Sequence, residues 1–210
     1  MNPWTEIPIS DYEKHMSDPG VYQLQTLSSI FKSKLIRYRP PSLAILGICS
    51  GNGLEHIDRH ITHDLYGIDI NEAFLKTCEQ RHLKTIPGLH LYQLDLQKDE
   101  INIPEVHLLI CSLIFEYVEP RILIRKIGSK VKDKGIVSAI IQSNNGISSV
   151  SRTGVHSLNR LESVFREVSP DELTAEFTEA DFTETEREEI PLPNGKSFFS
   201  IDFKKTKTEK

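Results

Sequence analysis

Five apolar runs divide the first two thirds of the chain: "LAILGI", "DLYGIDI", "GLHLYQLDL", "EVHLLICSL" and "GIVSAIIQ". Segments with helical spacing lie between most of them. "LEHIDRHI" is one, "NEAFLKTCEQRHL" puts Phe74, Leu75, Cys78 and Leu83 on one face, and "EPRILIRKIGSKV" is a third. A run that is apolar at nearly every position has no face left for water, so it reads as a strand buried on both sides. Strands alternating with helices build a parallel sheet covered on both faces, with right-handed connections.

The last third changes character. "SPDELTAEFTEADF" opens with a capping pattern, Ser169 followed by Glu172, and predicts a helix. "TEREEIPL" and "SFFSIDFKK" flank Asn194-Gly195, a hairpin signal. The expected fold is α/β and doubly wound, a mostly parallel seven-stranded sheet with a C-terminal antiparallel hairpin. Ahead of the sheet, residues 1–39 read as an arm and one helix. Val21, Leu24, Leu27, Ile30, Phe31 and Leu35 fall at helical spacing, and "RPP" ends the helix. One domain is expected over 1–210, with arm and helix at 1–40 and the sheet core at 41–210. The lysine-rich end "KKTKTEK" reads as solvated and frayed.

Composition excludes several classes. Hydrophobic residues make up 38% of 210, enough for one ordinary core. A net charge of −5 does not suit a dedicated nucleic-acid binder, and no uncharged run is long enough to span a bilayer. Neither nucleic acid nor membrane is an expected partner. "MNPWTEIPIS" has neither the basic start nor the apolar stretch of a secretory leader. Cys49, Cys78 and Cys111 lie far apart among apolar residues and read as buried free thiols, so a cytoplasmic location is expected. No metal-ligand spacing is present, and no metal is expected.

The first strand runs into "ILGICSGNG", where Gly47, Gly51 and Gly53 let a ligand approach the backbone. Such a loop sits at the topological switch point of a doubly wound sheet. Asp69 ends the second strand, placed either to accept from ribose hydroxyls or to cap the next helix. Asp95 follows the third strand, beside the second, and reads either as a turn acid or as an acceptor for an adenine amino group. Loop, Asp69 and Asp95 in this order describe an adenosine site that needs no phosphate.

This order resembles the class I S-adenosylmethionine-dependent methyltransferases of the small-molecule type. The family's first motif is an apolar pair, an acid and Gly-x-Gly-x-Gly. Gly51 and Gly53 match its last two glycines, while Gly47 stands at the acid and Cys49 at the first glycine. The resemblance covers nearly the whole chain and implies a Rossmann-like methyltransferase fold. It implies S-adenosylmethionine as cofactor and S-adenosylhomocysteine as product. The implied cofactor residues are Gly47, Cys49, Gly51, Gly53, Asp69, Ile70, Asp95 and Leu96. "HLLICSLIFEYVEP" resembles the segment that lines the methionine moiety, which adds Cys111 and Ser112. The segment before the first strand is implied to be a lid. The stretch holding Trp4, Tyr12, Met16, Val21 and Tyr22 is otherwise polar, so these large groups must pack over something, with Tyr12 near the methionine end.

"CSLIFEY" lacks the Asp/Asn-Pro-Pro-Tyr/Phe of enzymes that methylate bases or glutamine amides, so a small-molecule acceptor is expected. Glu116, Tyr117 and His156 are candidate catalytic groups, with Ser143, Asn144 and His15 also near strand ends or in the arm. Each has a plain structural reading as a cap, a surface group or a packing residue. Two rivals stand beside the methyltransferase. A short-chain dehydrogenase fits "GICSGNG", but no tyrosine is followed by lysine four residues on. A cofactor-binding fold without turnover, acting as a partner subunit, fits the changes at Gly47 and Cys49. A P-loop fails because Leu54 and Glu55 follow Gly53.

Overall fold

A computed structural model describes residues 2–206. The first forty residues hold more order than an arm and one helix. A 3-10 turn at Pro3–Glu6 precedes helix α1 (Ile9–Ser17) and helix α2 (Gln23–Tyr38). The break between the helices falls at Pro19-Gly20, and Tyr22 turns the chain in the left-handed region. Strand β1 (Ser42–Leu46) follows, then β2 (Asp64–Asp69), α3 (Glu72–His82), β3 (Leu89–Gln93) and β4 (Val106–Ser112). Helix α4 (Pro120–Gly128), β5 (Val131–Ser143), α5 (Pro170–Glu179), β6 (Phe182–Pro191) and β7 (Ser197–Lys205) complete the chain.

The strands form one sheet in the order β3-β2-β1-β4-β5-β7-β6. The first five are parallel, β7 runs antiparallel to β5, and β6 pairs antiparallel with β7. Alternate strand residues feed two cores, as the two-residue period of a strand requires. Leu43, Ile45, Leu108 and Ile110 pack on Ile30 and Phe31 of α2 and on Leu75 and Cys78 of α3. Ala44, Leu46, Leu109 and Cys111 point the other way, toward Leu123 and Ile127 of α4 and Phe177 of α5. Helix α5 carries the expected capping box between Ser169 and Glu172.

Four expectations differ. "LEHIDRHI" is not a helix: a 3-10 turn at Leu54–His56 is all that forms. Asp58 ends it by accepting from the His60 N–H with its carboxylate and from the Ile61 and Thr62 N–H groups with its carbonyl. Leu83 lies past the end of α3 and is exposed. The hairpin is longer than two residues. Leu192 N–H donates to Lys196 O across it, with Gly195 at φ 83°. Of the lysine-rich end, Lys204 and Lys205 belong to β7, and residues 207–210 lie outside the described residues. Among the described residues no helix is long and apolar enough to cross a membrane.

Candidate active site

The sheet order reverses between β1 and β4, and a crevice opens there at the strands' carboxyl ends. It holds a cavity of about 980 Å3, counted out to its mouth.

Gly47, Cys49, Asp69, Ile70, Asp95, Leu96 and Ser112 line one end, with Tyr12 above them. Asp69 is nearly buried, and its carboxylate accepts from the N–H of Cys49 (Oδ2, 2.9 Å) and of Asn71 (Oδ1, 2.9 Å). Burial pushes its pKa up to about 6, against the pull of those donors. Asp69 therefore fixes the loop and the start of α3, and each oxygen keeps a lone pair for a ligand hydroxyl. Capping of α3 falls to Asn71, whose Oδ1 accepts from Ala73 N–H. Cys49 sits at φ 50°, a conformation that favours the glycine it replaces. Burial, with Asp69 beside it, pushes its thiol well up.

A roof closes the cavity from two segments far apart in sequence. The arm contributes Trp4, Tyr12 and Met16, and the stretch between β5 and α5 contributes Val150, Leu158, Leu161 and Phe165. Val21 is buried beyond the cavity and Tyr22 is exposed. The halves are joined by Ser157 Oγ donating to Asp11 (2.6 Å), by His15 Nδ1 with Thr153 Oγ1 (2.7 Å) and by an Arg160–Glu6 ion pair. The arm is also tied to the sheet: Asn71 Nδ2 donates to Trp4 O and Ile7 O, and Ser50 Oγ donates to Glu13 (2.6 Å), which pairs with Arg81.

The far end is polar below and aromatic above. Glu116 is 1% exposed, and its Oε1 accepts from Gln142 N–H at 2.6 Å. Its Oε2 is buried with no partner. Burial pushes this carboxyl up to about 7. Gln142 accepts from Gln23 Nε2 (2.5 Å) and donates to Asn144 Oδ1 (2.6 Å) and Ser149 O (3.1 Å). Tyr117 stands edge-on to Trp4 (centroids 5.0 Å) and to Phe165 (5.8 Å).

Six expected site residues lie elsewhere. Gly51 and Gly53 do not line the cavity. A Cβ on Gly51 would meet the His82 ring at 2.7 Å, and one on Gly53 would meet Phe31 at 3.0 Å, so these glycines admit α3 and α2 instead of a ligand. Cys111 points into the core under α4, because strand alternation gives the cavity face to Ser112. His156 is exposed and only precedes a 3-10 helix. Ser143 bonds to Asn145, and Asn144 to Gln142 and Glu167; neither lines the cavity, while His15 does. Gln23, Gln142 and Phe165 were missed by the sequence. The one available signal was Gln142, a polar side chain closing an apolar run.

Residues 45–139 match the family described as "Methyltransferase domain". No curated protein matches. Among solved structures, an N-methyltransferase, NodS, of Bradyrhizobium japonicum in complex with S-adenosyl-l-homocysteine is 13% identical, with TM-score 0.70 over 99% of this chain and 100% of its own. A geranyl diphosphate C-methyltransferase of Streptomyces coelicolor is 12% identical, with TM-score 0.67 over 89% and 82%. An S-adenosylmethionine-dependent methyltransferase of Mesorhizobium loti is 14% identical, with TM-score 0.64 over 78% and 90%. These likenesses show the fold. The matched domain runs from β1 into β5 and includes Asp69, Asp95, Ser112 and Glu116 of the cavity, so residues 45–139 match a methyltransferase domain and the chain as a whole has the fold of S-adenosylmethionine-dependent methyltransferases.

Proposed function

We propose that the chain transfers a methyl group from S-adenosylmethionine to a small-molecule acceptor held beneath the roof. The observation that carries this is the continuity of one cavity, from Asp69 and Asp95 at one end to Glu116 and the aromatic groups at the other. The residues fit the donor. Asp69 has acceptor capacity for ribose hydroxyls, and the Leu94–Leu96 turn offers apolar walls and the Asp95 carboxylate to an adenine. The backbone of Gly47 and Cys49, with Tyr12 over it, borders the remaining space, where the amino-acid end belongs. The donor, consumed as a substrate, supplies an electrophilic methyl on a sulfonium. The chain's part is to hold the acceptor atom in line with that methyl and to keep water out.

The arm at 2–22 acts as a cover in this reading, and the sheet core carries the rest. Two of the similar structures are described as acting on or binding small molecules, geranyl diphosphate in one and S-adenosylhomocysteine in both, which supports a small acceptor here. Calorimetry with S-adenosylhomocysteine and NAD, followed by mass spectrometry of a small-molecule acceptor panel with S-adenosylmethionine, tests the reading. Tight binding of S-adenosylhomocysteine and a product 14 mass units heavier, the mass of CH2, are expected. Preference for NAD, or methylation of protein or nucleic acid alone, overturns it.

A further inference from the structure

Among the described residues that line the cavity, Glu116 Oε2 is the one fully buried side-chain polar atom without a hydrogen-bond partner. Both protons of the Gln142 amide are used, on Asn144 Oδ1 and Ser149 O, and its carbonyl is taken by Gln23. Glu116 spends Oε1 on Gln142 N–H and leaves Oε2 unpaired, although an unsatisfied buried oxygen costs on the order of 1–3 kcal/mol. Among the described residues no cation pairs with this carboxylate. The nearby Arg166 guanidinium goes to Glu119 (2.8 Å), and buried Lys196 donates to Ser149 O (2.7 Å). His15 also faces the cavity, and burial with Lys196 nearby lowers its pKa, so it stays neutral at pH 7. Trp4, Tyr117 and Phe165 line the same cavity and stand edge to face, and such rings attract cations. An unpaired carboxylate and aromatic groups in one cavity complement a positively charged donor.

Resting on the methyltransferase reading, we propose that the methyl acceptor is a small primary or secondary amine with an apolar body, bound as its ammonium to Glu116 Oε2. Glu116 then serves as the proton acceptor. The ammonium gives one proton to the carboxylate. The freed nitrogen lone pair forms a bond to the donor's methyl carbon as the carbon–sulfur bond breaks, and that electron pair stays on sulfur. The products are a neutral thioether, an N-methylammonium and a protonated Glu116, so a net charge of +1 is conserved. The raised pKa of Glu116 in the unliganded cavity matches this duty, since it can hold the proton near pH 7.

The test uses the full chain saturated with S-adenosylhomocysteine. Benzylamine and 2-phenylethylamine are titrated against benzyl alcohol and 2-phenylethanol. The amines should bind at least about tenfold more tightly than their alcohols. Glu116→Gln keeps an acceptor for Gln142 N–H and should bind S-adenosylhomocysteine as before, yet lose the preference for amines. Turnover of the amine in this variant should fall about 10²- to 10⁴-fold, the usual share of a positioned base. Equal or tighter binding of the alcohols, no binding of either amine, or an unchanged preference in Glu116→Gln overturns the proposal. Failure of the wild-type chain to bind S-adenosylhomocysteine refutes the underlying methyltransferase reading instead.

Discussion

The side chain of Ile114 occupies the place of the acid that the family carries at Gly47: a Cβ built on Gly47 would lie 2.5 Å from Ile114 Cδ1. Gly47 also sits at φ 73° while its N–H donates to Ile68 O at 2.8 Å. Ile114, just after β4, therefore fills the space that a side chain at residue 47 would need. Gly47→Asp alone should destabilise the fold by about 1–3 kcal/mol through overpacking and strain. Adding Ile114→Ala should recover part of that, with a favourable coupling of about 1 kcal/mol in a double-mutant cycle read by urea denaturation. Strict additivity of the two changes would show that Ile114 does not exclude the acid.

Glu13 ties the cover to the loop beneath it, through Ser50 and Arg81. Arg81 beside it holds its carboxyl below the usual glutamate range. Glu13→Ala should free α1 without opening a core cavity, costing less than about 2 kcal/mol. Trypsin should then cut faster at Lys14, and S-adenosylhomocysteine should slow that cut in the wild-type chain. A cleavage rate indifferent to both the mutation and the ligand would make the arm plain packing. Deleting the whole arm is a poorer probe, because it would uncover Phe74, which is fully buried against Ile7, Tyr12 and Met16.

Much of the architecture was legible, because the inner parallel strands β1, β2, β4 and β5 are largely buried on both faces and so are written as apolar runs. The capping box of α5 was legible for the same kind of reason: its two side chains satisfy each other locally. The segment "LEHIDRHI" misled. Leu54, Ile57 and Ile61 do fall at helical spacing, but so short a segment is marginal as a helix by itself. Asp58 offers the backbone another set of partners, and α2 already covers that side of β1. The cavity's nearer end was visible as motif residues at strand ends. Its polar inner end was not, since Gln23, Glu116 and Gln142 meet only after α2, β4 and β5 are assembled. Gly51 and Gly53 lie outside the cavity's lining and face His82 of α3 and Phe31 of α2.

Two buried carboxyls make stability depend on pH in a defined direction. Asp69 is raised from 3.8 to about 6 and Glu116 from 4.5 to about 7, both by burial. Each folded-state value lies above its unfolded value, so the folded state binds more protons in between. Their contribution is fully present below the unfolded values and is lost as pH rises through the folded ones. Their share of the stability should therefore fall between pH 4.5 and 7, by up to a few kcal/mol in free energy, against the opposite pull of His15, His82 and His107, whose values burial lowers. Glu116→Gln should flatten the slope. Lys196, lowered from 10.5 to about 8 by burial, acts in the opposite sense, adding stability as pH rises from 8 to 10.5. A midpoint that rises from pH 5 to pH 7 in the wild-type chain, with no flattening in the variant, would contradict this account.

Asp69 carries two duties that different substitutions separate. Its carboxylate holds the N–H groups of Cys49 and Asn71, and in the proposed function it also accepts from the ribose. Asp69→Ala strands both N–H groups in a buried place and should cost about 2–4 kcal/mol of stability. Asp69→Asn keeps one carbonyl oxygen and removes the expense of burying a charge, so its loss should be smaller. Both variants should bind S-adenosylhomocysteine more weakly, by about 1.5–3 kcal/mol, because neither can accept from two ribose hydroxyls with a charged group. Thermal unfolding and calorimetry on the same samples give the two readings. If Asp69→Asn folds as the wild type and binds S-adenosylhomocysteine undiminished, the carboxylate is a clamp for the loop and α3 alone, and the ribose must be held by other groups.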